Sequence, residues 1–189
     1  MLELAVVVVS TRPQRQGVHI AKWFHEFAKT AGSFDVKWVD LAEVELPLFD
    51  EPKHPRFKQY EHEHTKRWSA IVDRSDAFVF VTPEYNYSLP PSLVNAVDYV
   101  FHEWNYKPCA FVNYGGISGG LRAAQMAKLL LTAVKMMPIP EAVTVPFFSK
   151  QIENGVFTPN ELQTKSATDL LGELHRWAEA LKPMREKKG

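Results

Sequence analysis

Three short segments of this chain gather residue types that ligand chemistry uses. Ser10-Thr11-Arg12-Pro13-Gln14-Arg15-Gln16-Gly17 sets two hydroxyls and two guanidinium groups ahead of a stretch of helical period. A helix N-terminus offers free backbone N–H groups and the positive end of its dipole, so such a loop suits an anion, and a phosphate monoester is its natural occupant. Arg12 and Arg15 can each make charge-assisted, bidentate bonds to phosphate oxygens, and Gly17 lets the backbone approach closely. The plain alternative is a solvated turn with its arginines on the surface.

Pro83-Glu84-Tyr85-Asn86-Tyr87 follows an apolar run and changes abruptly to rigid, polar and aromatic residues. Backbone amides and Asn86 can hydrogen-bond the edge of a heteroaromatic ring while Tyr85 or Tyr87 packs beside it. An ordinary turn with Asn86 or Ser88 as a helix cap would explain one polar residue but not the whole run. Tyr114-Gly115-Gly116-Ile117-Ser118-Gly119-Gly120 holds four glycines in six residues, more than a strand-to-helix turn requires, and permits close approach to a planar ligand.

Other chemistries fit poorly. The first loop matches neither GxxxxGK[ST] nor GxGxxG, which disfavours a P-loop triphosphatase and a tight dinucleotide site. His62 and His64 flank Glu63, but alternate positions on a helix point to different faces, so they read as a solvated histidine cluster and no metal is assigned. Cys109 lies within an apolar run and reads as an inert core thiol. Trp104 and Tyr106 read equally as core or as a subunit contact.

The elements that must position these loops follow from apolar patterning. Leu4 to Val9, Phe34 to Leu41, Ala77 to Val81, Cys109 to Asn113 and Ala142 to Pro146 predict five strands. Between them lie helical stripes: Ile20, Phe24, Phe27, Ala28 and Ala31 with a stop at Gly32; Tyr60, His64, Trp68, Ile71 and Val72; Leu93, Val97, Val100, Phe101 and Trp104 after Pro90-Pro91; and Leu121 to Val134. The last of these is apolar nearly all round and is expected to be buried or at a subunit contact. Leu170, Leu174, Trp177, Ala178 and Leu181 predict a closing helix, Leu46 to Arg56 a proline-rich ordered loop, and the basic tail from about residue 184 frays. Strands alternating with helices give a doubly wound α/β domain spanning 1–189, in which ligands bind outside the carboxyl ends of the strands. All three chemical loops fall there.

Composition sets the bounds. With 189 residues and 46% hydrophobic content the chain can bury one sizeable core, and 22 basic against 22 acidic residues leave no net field to draw nucleic acid or an anionic membrane. One cysteine excludes an internal disulfide framework and suits a reducing, cytoplasmic setting. No apolar run approaches the ~20 residues of a membrane span, and the first residues lack the features of a signal peptide.

The segments STRPQRQG, TPEYNYSLP with LVNAVDY behind it, and NYGGISGGLRA, in this order and spacing, resemble the NAD(P)H-dependent FMN reductases, which include quinone, azo-dye and chromate reductases. The resemblance covers about the first 145 residues. It implies a flavodoxin-like, three-layer fold with a parallel five-stranded sheet in the order 2-1-3-4-5. It implies FMN phosphate held by Ser10, Thr11, Arg12, Arg15, Gly17 and the helix start at Val18-His19, with Pro83, Glu84, Tyr85 and Asn86 and then Gly115, Gly116 and Ser118 bordering the ring. It further implies ping-pong hydride transfer from NADPH or NADH to FMN and on to a small-molecule acceptor such as a quinone, azo compound, metal oxyanion or free flavin. A homodimer or homotetramer also follows from the resemblance alone. No catalytic side chain is nominated, because the cofactor carries the chemistry. The chain departs from the family at Gly17 to His19, where relatives often carry Ser or Asn, and at Leu93-Val94-Asn95-Ala96, where many read LKNA. The competing readings are an electron-carrier flavodoxin, usually strongly acidic where this chain is neutral, and a reductase that releases reduced FMN to a partner monooxygenase. A receiver domain would want acidic residues where Ser10-Thr11 and Thr82 stand.

Overall fold

The computed structural model describes residues 1–186. Five parallel strands, β1 (Glu3–Val8), β2 (Asp35–Asp40), β3 (Ala77–Pro83), β4 (Pro108–Gly115) and β5 (Met137–Pro146), form one sheet in the order β2-β1-β3-β4-β5. The central strands β1, β3 and β4 are continuous apolar runs because each is covered on both faces. Leu4, Val6, Val8, Val79, Val81 and Val112 point to one side with α1 (Gly17–Ala31) and α6 (Glu161–Glu186). Ala5, Val7, Phe78, Phe80 and Phe111 point to the other, against α3 (Glu63–Arg74), α4 (Pro91–Asp98) and α5 (Leu121–Ala133). A single turn, α2 (Leu41–Val44), follows β2 and is capped by Asp40, whose carboxylate accepts from the Ala42 N–H at 3.0 Å.

Several expectations need correction. β5 begins five residues before Ala142; its Pro138 and Pro140 are tolerated because it is an edge strand. A two-residue hairpin, β6 (Ile152–Glu153) with β7 (Val156–Phe157), turns through Asn154 and Gly155, both at positive φ. α6 starts nine residues before Leu170, where Asn160 and Gln163 cap each other reciprocally: each backbone N–H donates to the other's side-chain oxygen at 2.9 Å. α6 also continues through Arg185, whose guanidinium bonds Asp76 at 2.6 Å and the Tyr106 carbonyl at 3.0 Å. The expected fraying therefore fails up to Glu186, and 187–189 lie outside the described residues. Of the two alternatives for α5, burial all round is the one excluded: the helix turns Ala123, Ala127 and Leu131 inward and leaves Leu129 78% exposed. His62 precedes α3 as its N-cap in extended conformation, so its ring stacks on His64 at 5.1 Å rather than facing away. Both rings reach Asp50 of the proline-rich loop, His64 through its carboxylate at 2.9 Å and His62 through its carbonyl at 3.3 Å.

Trp104 is core: it is fully buried, packs 5.0 Å from Phe78 and donates its indole N–H to the Val97 carbonyl. Cys109 is also fully buried, and burial pushes its thiol well above the ordinary range, with Lys128 a smaller opposing influence. The folded protein is thus expected to resist a thiol reagent that labels the denatured chain at once; comparable labelling of both would refute the assignment.

Candidate functional site

The carboxyl ends of β1, β3 and β4 meet in a cavity of about 240 Å³ lined by Ser10, Arg12, Gln14, Arg15, Gln16, Pro83, Glu84, Tyr85, Tyr114, Gly115, Gly116 and Phe148. It opens between β1 and β3, where the strand order reverses, which is where open parallel sheets bind ligands. The β1 loop enters it through Ser10, 2% exposed, which shares a hydrogen bond of 2.7 Å with the Tyr85 hydroxyl. Arg12 lies over the Tyr85 ring, 5.9 Å from its centroid. Arg15 pairs through Nη2 with Asp40, a buried carboxylate at the end of β2. Its Nε is buried and has no hydrogen-bond partner among the described residues. A buried, unsatisfied guanidinium N–H beside an anion-suited loop points to a ligand that would satisfy it.

Gly17 opens α1 beneath Tyr114. A Cβ at Gly17 would lie 1.9 Å from the Tyr114 hydroxyl, so the glycine makes room for that phenol. Tyr114 is 4% exposed; burial raises its hydroxyl above the ordinary phenol range, reinforced by Tyr85, while Ser10, Arg15 and Arg12 pull the other way.

The β3 exit closes on itself. The Tyr85 N–H donates to the Ser88 carbonyl at 3.0 Å and the Ser88 N–H returns to Tyr85 at 2.9 Å, so Asn86 and Tyr87 form a two-residue turn with φ of 50° and 68°. Non-glycine residues rarely accept two consecutive left-handed conformations, and such strain concentrates at ligand sites. No side-chain cap from this loop serves α4, whose N-cap is Pro90.

Glu84 ties this turn to the glycine loop. Its carboxylate accepts from the Ser118 hydroxyl at 2.8 Å, the Arg122 backbone N–H at 3.0 Å and Arg122 Nη1 at 2.6 Å. Arg122 in turn stacks over Tyr87, 4.0 Å from the ring centroid. Burial would raise the Glu84 carboxyl, but the Arg122 side chain, Ser118 and the Arg122 N–H together hold it below its ordinary value of 4.5. A carboxyl depressed in the folded state contributes stability in full above its unfolded value and loses that contribution as pH falls through the folded value. Glu84→Gln is therefore expected to flatten the acid limb of the stability profile below about pH 4.5, at a cost near neutrality of about 1–3 kcal/mol. An unchanged acid limb in urea titrations would refute this coupling.

The four loop glycines have different jobs. Gly120 has φ of 85°, and a Cβ there would sit 2.6 Å from the Tyr114 backbone N. Gly119, at φ of 59°, would meet Thr144 at 2.5 Å. These two fit the loop to the sheet, and Asn113, fully buried in β4, fastens it by donating to the Gly119 carbonyl at 2.8 Å. Gly116 has nothing within 4 Å of a Cβ position and lines the cavity.

Of the residues singled out by sequence, Ser10, Arg12, Arg15, Pro83, Glu84, Tyr85, Gly115 and Gly116 come together on one cavity. Gly17 supports it through Tyr114, and Ser118 reaches it through Glu84. Asn86 sits at the exposed tip of the turn. Thr11 instead lines a separate cleft of about 330 Å³ with Leu41, Leu46 and Ser92. His19 faces a groove beside Trp23, Phe27 and Phe157, with its ring 3.3 Å from a Cβ position at Gly155. Val18 is half-buried in the first turn of α1. Sequence reasoning missed Asp40, Asn113, Tyr114 and Arg122 as positioning residues. The usable signal was polar residues ending or interrupting apolar strands, as with Asp40 and Asn113.

The sequence pattern described as NADPH-dependent FMN reductase matches residues 2–150. An NAD(P)H-dependent FMN reductase of Schizosaccharomyces pombe is 38% identical over 177 residues, covering 92% of this chain and 86% of that one. A quinone reductase of Pseudomonas putida is 35% identical over 147 residues, covering 74% and 75%. In structure, FerB, a flavoenzyme NAD(P)H:(acceptor) oxidoreductase from Paracoccus denitrificans, superposes with a TM-score of 0.75 at 24% identity, covering 95% of this chain and 98% of that one. That likeness supports the doubly wound, flavodoxin-like fold.

Proposed function

The chain belongs to the NADPH-dependent FMN reductase family, an oxidoreductase family, and from that premise we propose that it binds FMN in the cavity at the ends of β1, β3 and β4 and uses NADH or NADPH to reduce a small-molecule acceptor. The observation that carries the proposal is the buried Arg15 Nε, unpartnered among the described residues, on a loop that also supplies Ser10 and Arg12 and leads into α1. These residues fit a phosphate monoester, and the open face at Gly116 beside the strained Tyr85–Ser88 turn fits a flat ring.

Ser10, Arg12, Arg15 and the N–H groups at the start of α1 would hold the phosphate, while Pro83 to Asn86 and Gly115-Gly116 would border the ring. FMN, when bound, supplies the site that accepts and gives up a hydride. The protein's part is geometric and electrostatic. Glu84 locks the β3-exit turn to the glycine loop through Ser118 and Arg122, and Tyr114 and Phe148, packed edge to face at 5.1 Å in the cavity wall, would shield a bound group from water. The single opening of this cavity would admit nucleotide and acceptor in turn, which fits ping-pong order. Several acceptor classes fit, quinones first, since a relative bears the name quinone reductase. No helix among the described residues is long and apolar enough to cross a membrane, and the buried lone thiol suits a cytoplasmic setting. Leu129 and Met126, exposed on α5, support a homodimeric or homotetrameric assembly.

A visible spectrum taken after incubation with FMN and desalting tests cofactor retention. Flavin bands that travel with the protein support a held prosthetic group. Loss of the bands together with turnover of free FMN would make FMN an exchanging substrate, and loss with no turnover would refute the reading.

A further inference from the structure

The arginine offered to the phosphate is not a free cation. Arg15 Nη2 is bonded to Asp40, whose side chain is 2% exposed, while the Arg15 side chain keeps 21% of its surface and its Nε has no partner among the described residues. Asp40 is itself fixed, because its other oxygen accepts the Ala42 N–H that caps α2. A carboxylate therefore stands directly behind one of the two guanidinium groups that face the cavity.

Two consequences follow, and they have the same sign. The carboxylate already neutralises Arg15 in the empty site, so a phosphate gains less by pairing with it than it would with an unpaired guanidinium. The carboxylate also repels the phosphate across a poorly screened, partly buried region. We propose, building on the FMN reading above, that Asp40 is an attenuator of phosphate affinity: it holds Arg15 in place yet weakens its grip, so that FMN can exchange with solution. The opposite assignment, in which Asp40 only orients Arg15, predicts that removing its charge loosens FMN.

Asp40→Asn separates the two, since asparagine keeps the shape, removes the charge and retains one oxygen that can accept from Arg15, giving up only the cap to the Ala42 N–H. The measurement is the dissociation constant for FMN and for riboflavin, which lacks the phosphate, by quenching of flavin fluorescence on the full chain. Attenuation predicts that Asp40→Asn binds FMN roughly tenfold more tightly, leaves riboflavin unchanged and steepens the salt dependence of FMN binding. Asp40→Ser, which instead keeps a capping oxygen and gives up the bond to Arg15, must move FMN in the same direction. Weaker or unchanged FMN binding in Asp40→Asn overturns the proposal, as does a loss of riboflavin binding in both variants, which would make Asp40 a determinant of pocket shape. If the unaltered protein binds FMN and riboflavin equally, the phosphate reading itself falls and this inference falls with it.

Discussion

Replacing Arg12 and Arg15 together by alanine is expected to weaken FMN binding by roughly 10²–10⁴-fold, since each hydrogen bond to a charged group is worth ~1.5–3 kcal/mol. Riboflavin should bind the double variant almost as well as the unaltered chain, because the lost contacts belong to the phosphate. The two arginines are not equivalent. Arg12 lies exposed over Tyr85 and can be removed without stranding a partner. Removing Arg15 leaves the buried Asp40 carboxylate with the Ala42 N–H but no countercharge, at a cost to folding of about 3–5 kcal/mol. Arg12→Ala alone should therefore lower FMN affinity at an unchanged melting temperature, while Arg15→Ala lowers both. Unchanged FMN affinity in the double variant would remove the β1 loop from the phosphate site.

Gly120→Ala is expected to be the most damaging single substitution in the glycine loop. A left-handed conformation costs an L-residue about 1–2 kcal/mol, and the added Cβ would press on the Tyr114 backbone N and O at 2.6 and 2.7 Å. Tyr114 is held in β4, which is paired on both sides, so the backbone has little room to yield. Overpacking of this kind adds about 1–3 kcal/mol, giving a total of about 2–5 kcal/mol. For a domain of this size each kcal/mol moves the melting temperature by about 2–4 °C. Gly116→Ala, with open space at its Cβ and no positive φ, should fold with near-normal stability. Equal melting temperatures for the two variants would mean that the loop is not fitted to the sheet as described.

The glycine loop also marks the limit of what residue order conveys. Four glycines read as four places where a ligand can approach, whereas two of them exist to clear the protein's own backbone and side chains. Strands β1, β3 and β4 were legible because burial on both faces leaves no polar position to interrupt the apolar run. β5 was half hidden, since an edge strand accepts the prolines that ordinarily deny a strand. The β6–β7 hairpin and the start of α6 carried readable signals in Asn154-Gly155 and in the Asn160 to Gln163 spacing, but both lie where apolar periodicity is weak. Three loops converging on one cavity followed from strand order alone. The separation of Thr11 and His19 from that cavity did not, because adjacent residues in a turn diverge by amounts that only the folded backbone fixes. Asp40 was out of reach for a similar reason: 25 residues separate it from Arg15, and only the β1–β2 register brings the two loops side by side.

In the function proposed above, the cavity holds FMN so that a nicotinamide nucleotide can reduce it. The most direct test is anaerobic addition of NADH, and separately NADPH, to the protein with equimolar FMN while the visible flavin absorbance is followed. Rapid bleaching with at least one nucleotide, followed by recovery of colour when a quinone is added, is the expected result. FMN that binds but bleaches no faster than in protein-free buffer with either nucleotide would contradict that function and leave an electron carrier in its place.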